Sequence, residues 1–430
     1  MPKFVIDEIS AADIGDFWER YVLARKPVVI RGIYADQPIA EAATLQGARR
    51  LLGEMPVMIQ DEYTRQIDYT RKDAVEAQEK GSGPVLGTLR EYLDAYGALE
   101  KSRKVVTEWD LPTDLLQTFT LPDFCRPTTP HHSLYLNSFI AGPQNWAHLH
   151  FDMDQRHVLL AQVFGSKGVA LFPPSSSAWV HPFGNFGSVS LQAMDPEARQ
   201  NFVELAGGAY AVIHPTDAIY IPPLLWHYLD YLDLGASFNV RFGRNPYNKF
   251  LSVENFLADH YLQAVAEPFA KIAPEAEPDA AQQEVLNEVI AAFNRDYESR
   301  YDKYRAMRQV FRDIHQRQGL TPELPLFLFP LDEETDYYDQ MRLDSSFLYR
   351  PDVRTSVEAI TRPEPSATTT QLTALDRAVS GLGYSGPLFS KVLFNKFGRS
   401  SLSELNREEA SRFLAFLRSP SGAAPAVAMR

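Results

Sequence analysis

The chain of 430 residues has a single cysteine, Cys125. That excludes a disulfide scaffold and cysteine-based zinc modules, and it points to a reducing compartment. No apolar run reaches the roughly 18 residues that would read as a membrane-spanning helix. The opening MPKFVIDEIS lacks the basic-then-apolar order of a secretory signal. A basic surplus is missing too. The formal net charge is −13, so neither nucleic acid nor an anionic membrane is expected as a partner. A cytoplasmic protein is the expectation. With 45% hydrophobic and 23% charged residues the composition is that of a globular protein, and the length allows two or three domains.

Along the sequence, Ile14, Phe17, Trp18 and Tyr21 stand at helical spacing and predict a helix over 11–24. RKPVVIRG, 25–32, predicts a short strand closed by Gly32. From 131 to 242, short runs rich in strand formers alternate with Pro and Gly turns, which predicts a sandwich or barrel. After Pro246 the pattern turns helical. Ile290, Phe293, Tyr297, Tyr304, Met307, Phe311 and Ile314 follow steps of three and four, broken at Arg300. This seam belongs either to a helix packed on its own domain or to a homodimer. The expected fold is a mainly β core with N-terminal α/β elements and a C-terminal helical region. The expected division is a core domain at 1–250, a helical region at 251–361 for dimerisation or substrate binding, a linker at 362–371 and a small helical module at 372–430. In that module Asn406 and Glu409 are spaced as a capping box.

The stretch HLHFDMDQRH, 148–157, concentrates three histidines and two aspartates. Read as a strand, it places His148, His150, Asp152 and Asp154 on one face. Burying so many ionisable groups without a cation is costly, so that face is either wet or binds something. Two imidazoles and one carboxylate on one side of an octahedron suit iron(II) and leave positions open for other ligands. His150 and Asp152 supply two of the three. The third must come from a distant strand, and YIPPLLWHYL offers His227, with Trp226 as a wall of the site. The prolines there suit a strand edge or bend. Lys167, after Gly165–Ser166 and before GVALFPP, is either a cation inside a barrel wall or a solvated turn lysine.

KPVVIRG, LHFD at 149–152, QVFGSKGVALFPP at 162–174, DAIYIPPLLWH at 217–227 and SFNVRF at 237–242 together resemble the cupin-like JmjC family of iron(II)- and 2-oxoglutarate-dependent oxygenases. Within it the pattern is similar to the peptidyl hydroxylases typified by the asparaginyl hydroxylase that inhibits hypoxia-inducible factor. Order and spacing agree over about residues 15–245. The resemblance implies a double-stranded β-helix, the jelly-roll barrel of cupins. It implies His150, Asp152 and His227 as iron(II) ligands, and Lys167 as partner of the distal carboxylate of 2-oxoglutarate. Tyr135 is a candidate hydrogen-bond donor to that carboxylate, and Asn137 shares its face. Asn239 and Arg241 share a face on the last strand, and Arg241 is a further carboxylate partner.

The sequence departs from the typified hydroxylase at several positions. It holds two more residues between the H-x-D and QVFG runs, which sets Arg156 near an asparagine position. Ala147 stands where a threonine is usual, and the turn is Pro215-Thr216-Asp217. His148 would touch substrate, orient a ligand or be an ordinary hydrogen-bonded histidine. Asp154 reads as a solvated strand end, and His131 and His132 as exposed. The implied activity is hydroxylation of a C–H bond on an amino-acid side group of a peptide or protein. Removal of a methyl group from lysine nitrogen is the variant. A cupin that binds metal without oxygenase chemistry is the competing class.

Overall fold

A computed structural model of the protein describes residues 4–61, 84–99, 102, 104–112, 114–125, 134–152, 154–183, 185–252, 255–256, 260–273, 276–319, 365–383 and 386–418. Fifteen strands are present among them: β1 (Asp7–Ser10), β2 (Val28–Arg31), β3 (Pro56–Asp61), β4 (Val85–Thr88), β5 (Lys104–Asp110), β6 (Tyr135–Ala141), β7 (Trp146–His150), β8 (His157–Phe164), β9 (Lys167–Phe172), β10 (Pro182–Phe183), β11 (Phe186–Gly187), β12 (Ala209–Ile213), β13 (Ala218–Ile221), β14 (Trp226–Tyr231) and β15 (Gly235–Phe242).

They form two sheets. The larger runs β1-β2-β13-β8-β15-β6-β5-β3-β4 and the smaller β10-β11-β7-β14-β9-β12. Pairing is antiparallel except between β1 and β2. From β6 to β9 and again from β12 to β15 the backbone crosses to the other sheet at every strand. That alternation winds the two sheets into a double-stranded β-helix, with four strands of each sheet facing one another. β8 and β9 are buried along their whole length, as strands covered on both faces must be.

Each sheet is backed by its own layer. The larger sheet packs Leu136, Leu159, Tyr220 and Phe238 against N-terminal Phe17, Tyr21 and Leu52. The smaller packs Phe172, Trp226 and Tyr228 against Phe250, Phe256, Leu286 and Phe311 from the helical region. Full burial of a large apolar side chain contributes roughly 2 kcal/mol, so both layers are integral to the fold. The seam residues Ile290, Phe293, Tyr304, Met307, Phe311 and Ile314 are buried in this second layer. They lie on two helices, Ala280–Phe293 and Arg300–Gln318, and the seam serves the protein's own core.

Two other expectations change. The helix expected over 11–24 is a 3-10 turn at Ala11–Asp13 followed by a wider π-type turn at Trp18–Leu23, which buries Tyr21 and Val22. The linker expected at 362–371 overlaps a helix, Thr369–Gly381, whose first amides are capped by Thr368 and Gln371. Segment 321–361 and residues His131 and His132 lie outside the described residues. The capping box is present: Asn406 N–H donates to Glu409 (2.9 Å) and Glu409 N–H to the Asn406 side chain (2.7 Å).

Candidate metal centre

A period of two decides which side chains enter the barrel. On β14, Trp226 and Tyr228 point to the outer helices, while His227, Leu229 and Tyr231 line the interior cavity. On β15, Asn239 and Arg241 line it, while Phe238, Val240 and Phe242 face the other way. The cavity measures about 540 Å³, within the range of small-molecule sites. Trp226 is thus not a wall of the site. It stands edge-on to Phe151, and its indole N–H donates to Ser177 Oγ at 3.0 Å.

His150 and His227 are cross-strand partners on β7 and β14, with ring centroids 4.2 Å apart. The ladder shifts register between His227 and Leu229, an irregularity that re-aims side chains. Asp152 follows just after β7 and completes the group. Its Oδ1 is 3.7 Å from His150 Nε2 and 3.9 Å from His227 Nε2. The ligand atoms of all three lie within 4.8 Å of one another. Each Nδ1 is committed elsewhere: His150 Nδ1 to the His148 carbonyl (2.6 Å) and His227 Nδ1 to the Leu225 carbonyl (3.0 Å). A carbonyl only accepts, so Nδ1 carries the proton and Nε2 presents its lone pair.

The charges agree with this reading. Burial, then His227, lowers the pKa of His150 and keeps the imidazole neutral. Burial works to raise the pKa of Asp152, but Arg241 and the two histidines outweigh it and hold the carboxylate ionised. Two imidazoles and one carboxylate, oriented by backbone carbonyls and a guanidinium, fit a divalent iron.

Lys167 opens β9 and points across the barrel. Its ammonium donates to Ser237 Oγ on β15 (2.6 Å) and sits 4.1 Å from the Tyr231 ring centroid. It is 1% exposed, and burial pushes its pKa down to about 7. No ion pair involving Lys167 is present among the described residues. A buried cation without a counter-charge is a place for an anion. Gly165 permits the turn that brings Lys167 inward: its φ is +66°, and a Cβ there would meet the Leu234 carbonyl at 2.3 Å. Nearby, both amide atoms of Asn137 and Oδ1 of Asn239 are buried without a partner. The two asparagines face each other across β6 and β15. Buried polar atoms left open in this way suit a polar ligand.

The remaining candidates are sorted by position. Asn137 does not itself line the cavity, whereas Asn239 does. Arg241 is shared among Glu108 (3.1 Å), Asp152 (3.6 Å) and Asp154 (3.8 Å), so a role as cosubstrate partner would compete with three carboxylates. Tyr135 does not line the cavity. Its ring lies 5.1 Å from the Arg412 guanidinium and 5.7 Å from Lys396, and burial, then Asp110, pushes its pKa up to about 12. The tertiary structure turns it toward the terminal helices. His148 is buried at the cavity edge, held by the Gly187 carbonyl (2.7 Å) and Gln192 (3.4 Å). Asp154 lines the cavity beside Arg241 rather than standing in solvent.

Three contributors were missed. Ser237 and Tyr231 follow from extending the period of two by one step from Asn239 and Leu229. Glu108 has no signal in the sequence, since it comes from a separate strand.

Comparison with known proteins agrees with this geometry. Lysine-specific demethylase 8 of Xenopus tropicalis is 23% identical over 249 residues, 55% of this chain and 52% of that protein. Jumonji C domain-containing protein 5 of Drosophila melanogaster is 28% identical over 128 residues, 27% of this chain and 30% of that protein. The tRNA wybutosine-synthesizing protein 5 of Danio rerio is 30% identical over 128 residues, 30% of this chain and 37% of that protein. The chain therefore spans about half or less of the length of these relatives. The family model for the cupin-like domain matches residues 15–248, the span that holds every strand but β1 and the His-Asp-His group, and the chain belongs to that cupin-like family.

Proposed function

We propose that the protein is an iron(II)- and 2-oxoglutarate-dependent oxygenase that hydroxylates a C–H bond on an amino-acid side group of a peptide or protein, in the manner of the asparaginyl hydroxylase type. One observation carries the reading: a metal-ready triad and a buried lysine without a counter-charge line the same cavity. His150, Asp152 and His227 would hold iron(II), and Lys167 with Ser237 would hold the distal carboxylate of 2-oxoglutarate. When bound, this pair supplies oxidative decarboxylation coupled to hydroxylation: 2-oxoglutarate, dioxygen and R–H give succinate, carbon dioxide and R–OH. The protein's residues orient and shield. Arg241 keeps Asp152 ionised and aimed. The open Oδ1 of Asn239 offers a polar contact inside the cavity. Val158, Leu160, Ile221 and Leu229 line the same cavity with apolar groups that limit water.

A second reading, removal of a methyl group from lysine nitrogen, is favoured by Glu108 and Asp154, two carboxylates in the cavity that suit a cationic side chain. A cupin that binds metal without oxygenase chemistry is disfavoured by Lys167, which such a protein has no use for. The test is succinate formation from 2-oxoglutarate by the iron-loaded protein and by Asp152→Ala. Succinate from the wild type alone supports an oxygenase. Formaldehyde released with a methylated peptide selects the second reading. No succinate and no 2-oxoglutarate binding would sink both. A homodimer through the C-terminal helices and a cytoplasmic location belong to the same proposal, and sedimentation at two protein concentrations checks the dimer.

A further inference from the structure

Strand β5 carries two carboxylates with different commitments. Glu108 lines the cavity, with Oε1 3.1 Å from Arg241 Nη2. Asp110, two residues on, has Oδ2 3.3 Å from Lys396 Nζ. Between these two ion pairs the backbone is irregular. Glu108 has φ +52°, and the pairing of β5 with β6 shifts between Val106 and Trp109. A left-handed conformation at a residue other than glycine costs energy and persists only where its surroundings hold it. On the cavity side the hold is Arg241. On the far side it is the terminal module.

Lys396 belongs to helix Gly386–Phe397. Its side chain is 3% exposed and packs with Nζ 4.1 Å from the Phe416 ring centroid. The neighbouring Asn395 anchors this helix to the barrel domain. Its amide donates to the carbonyls of Leu116 (2.5 Å) and Phe119 (2.9 Å), and its oxygen accepts from the Leu121 amide (3.4 Å). The ammonium of Lys396 is therefore placed by buried packing, not by a mobile surface contact. A second contact runs beside it: Arg412 lies over Tyr135, and Tyr135 is the cross-strand partner of Arg241.

We propose that Lys396 is a positioning residue for the metal centre, acting through Asp110 and Glu108 on Arg241 and so on Asp152. The inference rests on the His-Asp-His group binding a metal. Glu108, held in its left-handed turn, fixes one edge of the Arg241 guanidinium, and the same guanidinium faces Asp152 Oδ1 at 3.6 Å. Loss of the charge on Lys396 would leave Asp110 held by the Tyr135 phenol without a counter-charge, relax the turn and leave Asp152 less firmly aimed. Outer partners of metal ligands commonly govern affinity in this way.

The test uses the full-length protein and cobalt(II) alone, with affinity read by calorimetry and the coordination by visible absorption. Lys396→Met keeps the stem on Phe416 and removes the charge. Cobalt affinity should fall about 10-fold, and Lys396→Arg should restore most of it. Glu108→Gln breaks the same path from the cavity side without touching the module, so it serves if Lys396→Met does not fold. The double variant should lose little more than either single one, because both act through one path. Unchanged affinity in Lys396→Met or Glu108→Gln, or additive losses in the pair, would overturn the inference. A wild-type protein that takes no cobalt would refute the metal centre itself, and this inference with it.

Discussion

The two functional ends of the cavity are incomplete in opposite ways. At one end Asp152, Asp154 and Glu108 share the Arg241 guanidinium, Asp154 also meets Arg156 at 3.7 Å, and two imidazoles present their lone pairs. Three carboxylates there face two guanidinium groups. At the other end Lys167 has a hydroxyl and an aromatic face but no carboxylate. That end lacks an anion. In one low-dielectric interior, uncompensated charges of either kind are costly. A metal held by the triad together with a dicarboxylate reaching Lys167 would relieve both.

The comparison breaks first at the metal end. Asp152→Ala should reduce divalent-metal affinity by more than about 100-fold, beyond the usual effect of an outer contact, as calorimetry would read directly. Retained affinity would mean that the triad is not the site. At the anion end, Lys167→Met should weaken 2-oxoglutarate binding to the metal-loaded protein by about 100-fold, the scale of a lost charge-assisted hydrogen bond.

The apo-protein should respond in the opposite direction. Lys167 has its folded pKa lowered to about 7 from 10.5, so the native state holds fewer protons than the unfolded one between those values. Its contribution to stability then rises with pH across that window and is least favourable below pH 7. Lys167→Met should therefore stabilise the apo-protein more at pH 6 than at pH 9, as denaturant titrations at both values would check. A difference of the opposite sign would remove the case for an uncompensated lysine.

The same shift predicts proton uptake. At pH 8 the lysine is mostly neutral in the apo-protein, and a carboxylate partner favours its charged form. Binding of 2-oxoglutarate should take up close to one proton, measurable by calorimetry in buffers of different ionisation enthalpy. No uptake would place the dicarboxylate elsewhere. The smallest effect concerns Tyr135→Phe. Its ring faces the terminal helices, so 2-oxoglutarate affinity should change by less than about twofold. A large loss would return Tyr135 to the site.

Where residues sit close along a strand, the sequence was a good guide. Asn239 with Arg241 is an i, i+2 pair whose shared face follows from the pleat. The same rule excludes Trp226 from the cavity because its neighbour His227 enters it. Strand extent was less legible. The ladder of β7 stops at His150, and Phe151 instead donates its amide to the Asn185 carbonyl at 3.0 Å. Asp152 reaches the metal position from beyond the strand. Tyr135 was misplaced for a different reason. Its strand face was right in register, but its ring packs by Arg412 and Lys396 of the terminal module and does not line the cavity.

The helical seam shows the same division. Spacing in threes and fours identified Phe293, Met307 and Phe311 as a buried face, yet nothing in the spacing could name what buries them. The partner is the outer face of β9 and β14, more than 60 residues away in the sequence.

The order of residue types settled the β core, the inward faces and the ligand types, because backbone periodicity acts over a few residues. Only the tertiary structure could decide that Arg241 would be shared among three acids, that Lys167 would have none, and that Glu108 and Lys396 would meet the site from opposite sides of β5. Those relations depend on which strands and helices become neighbours, and a charge buried in the barrel answers to every group within reach in space, however distant in sequence.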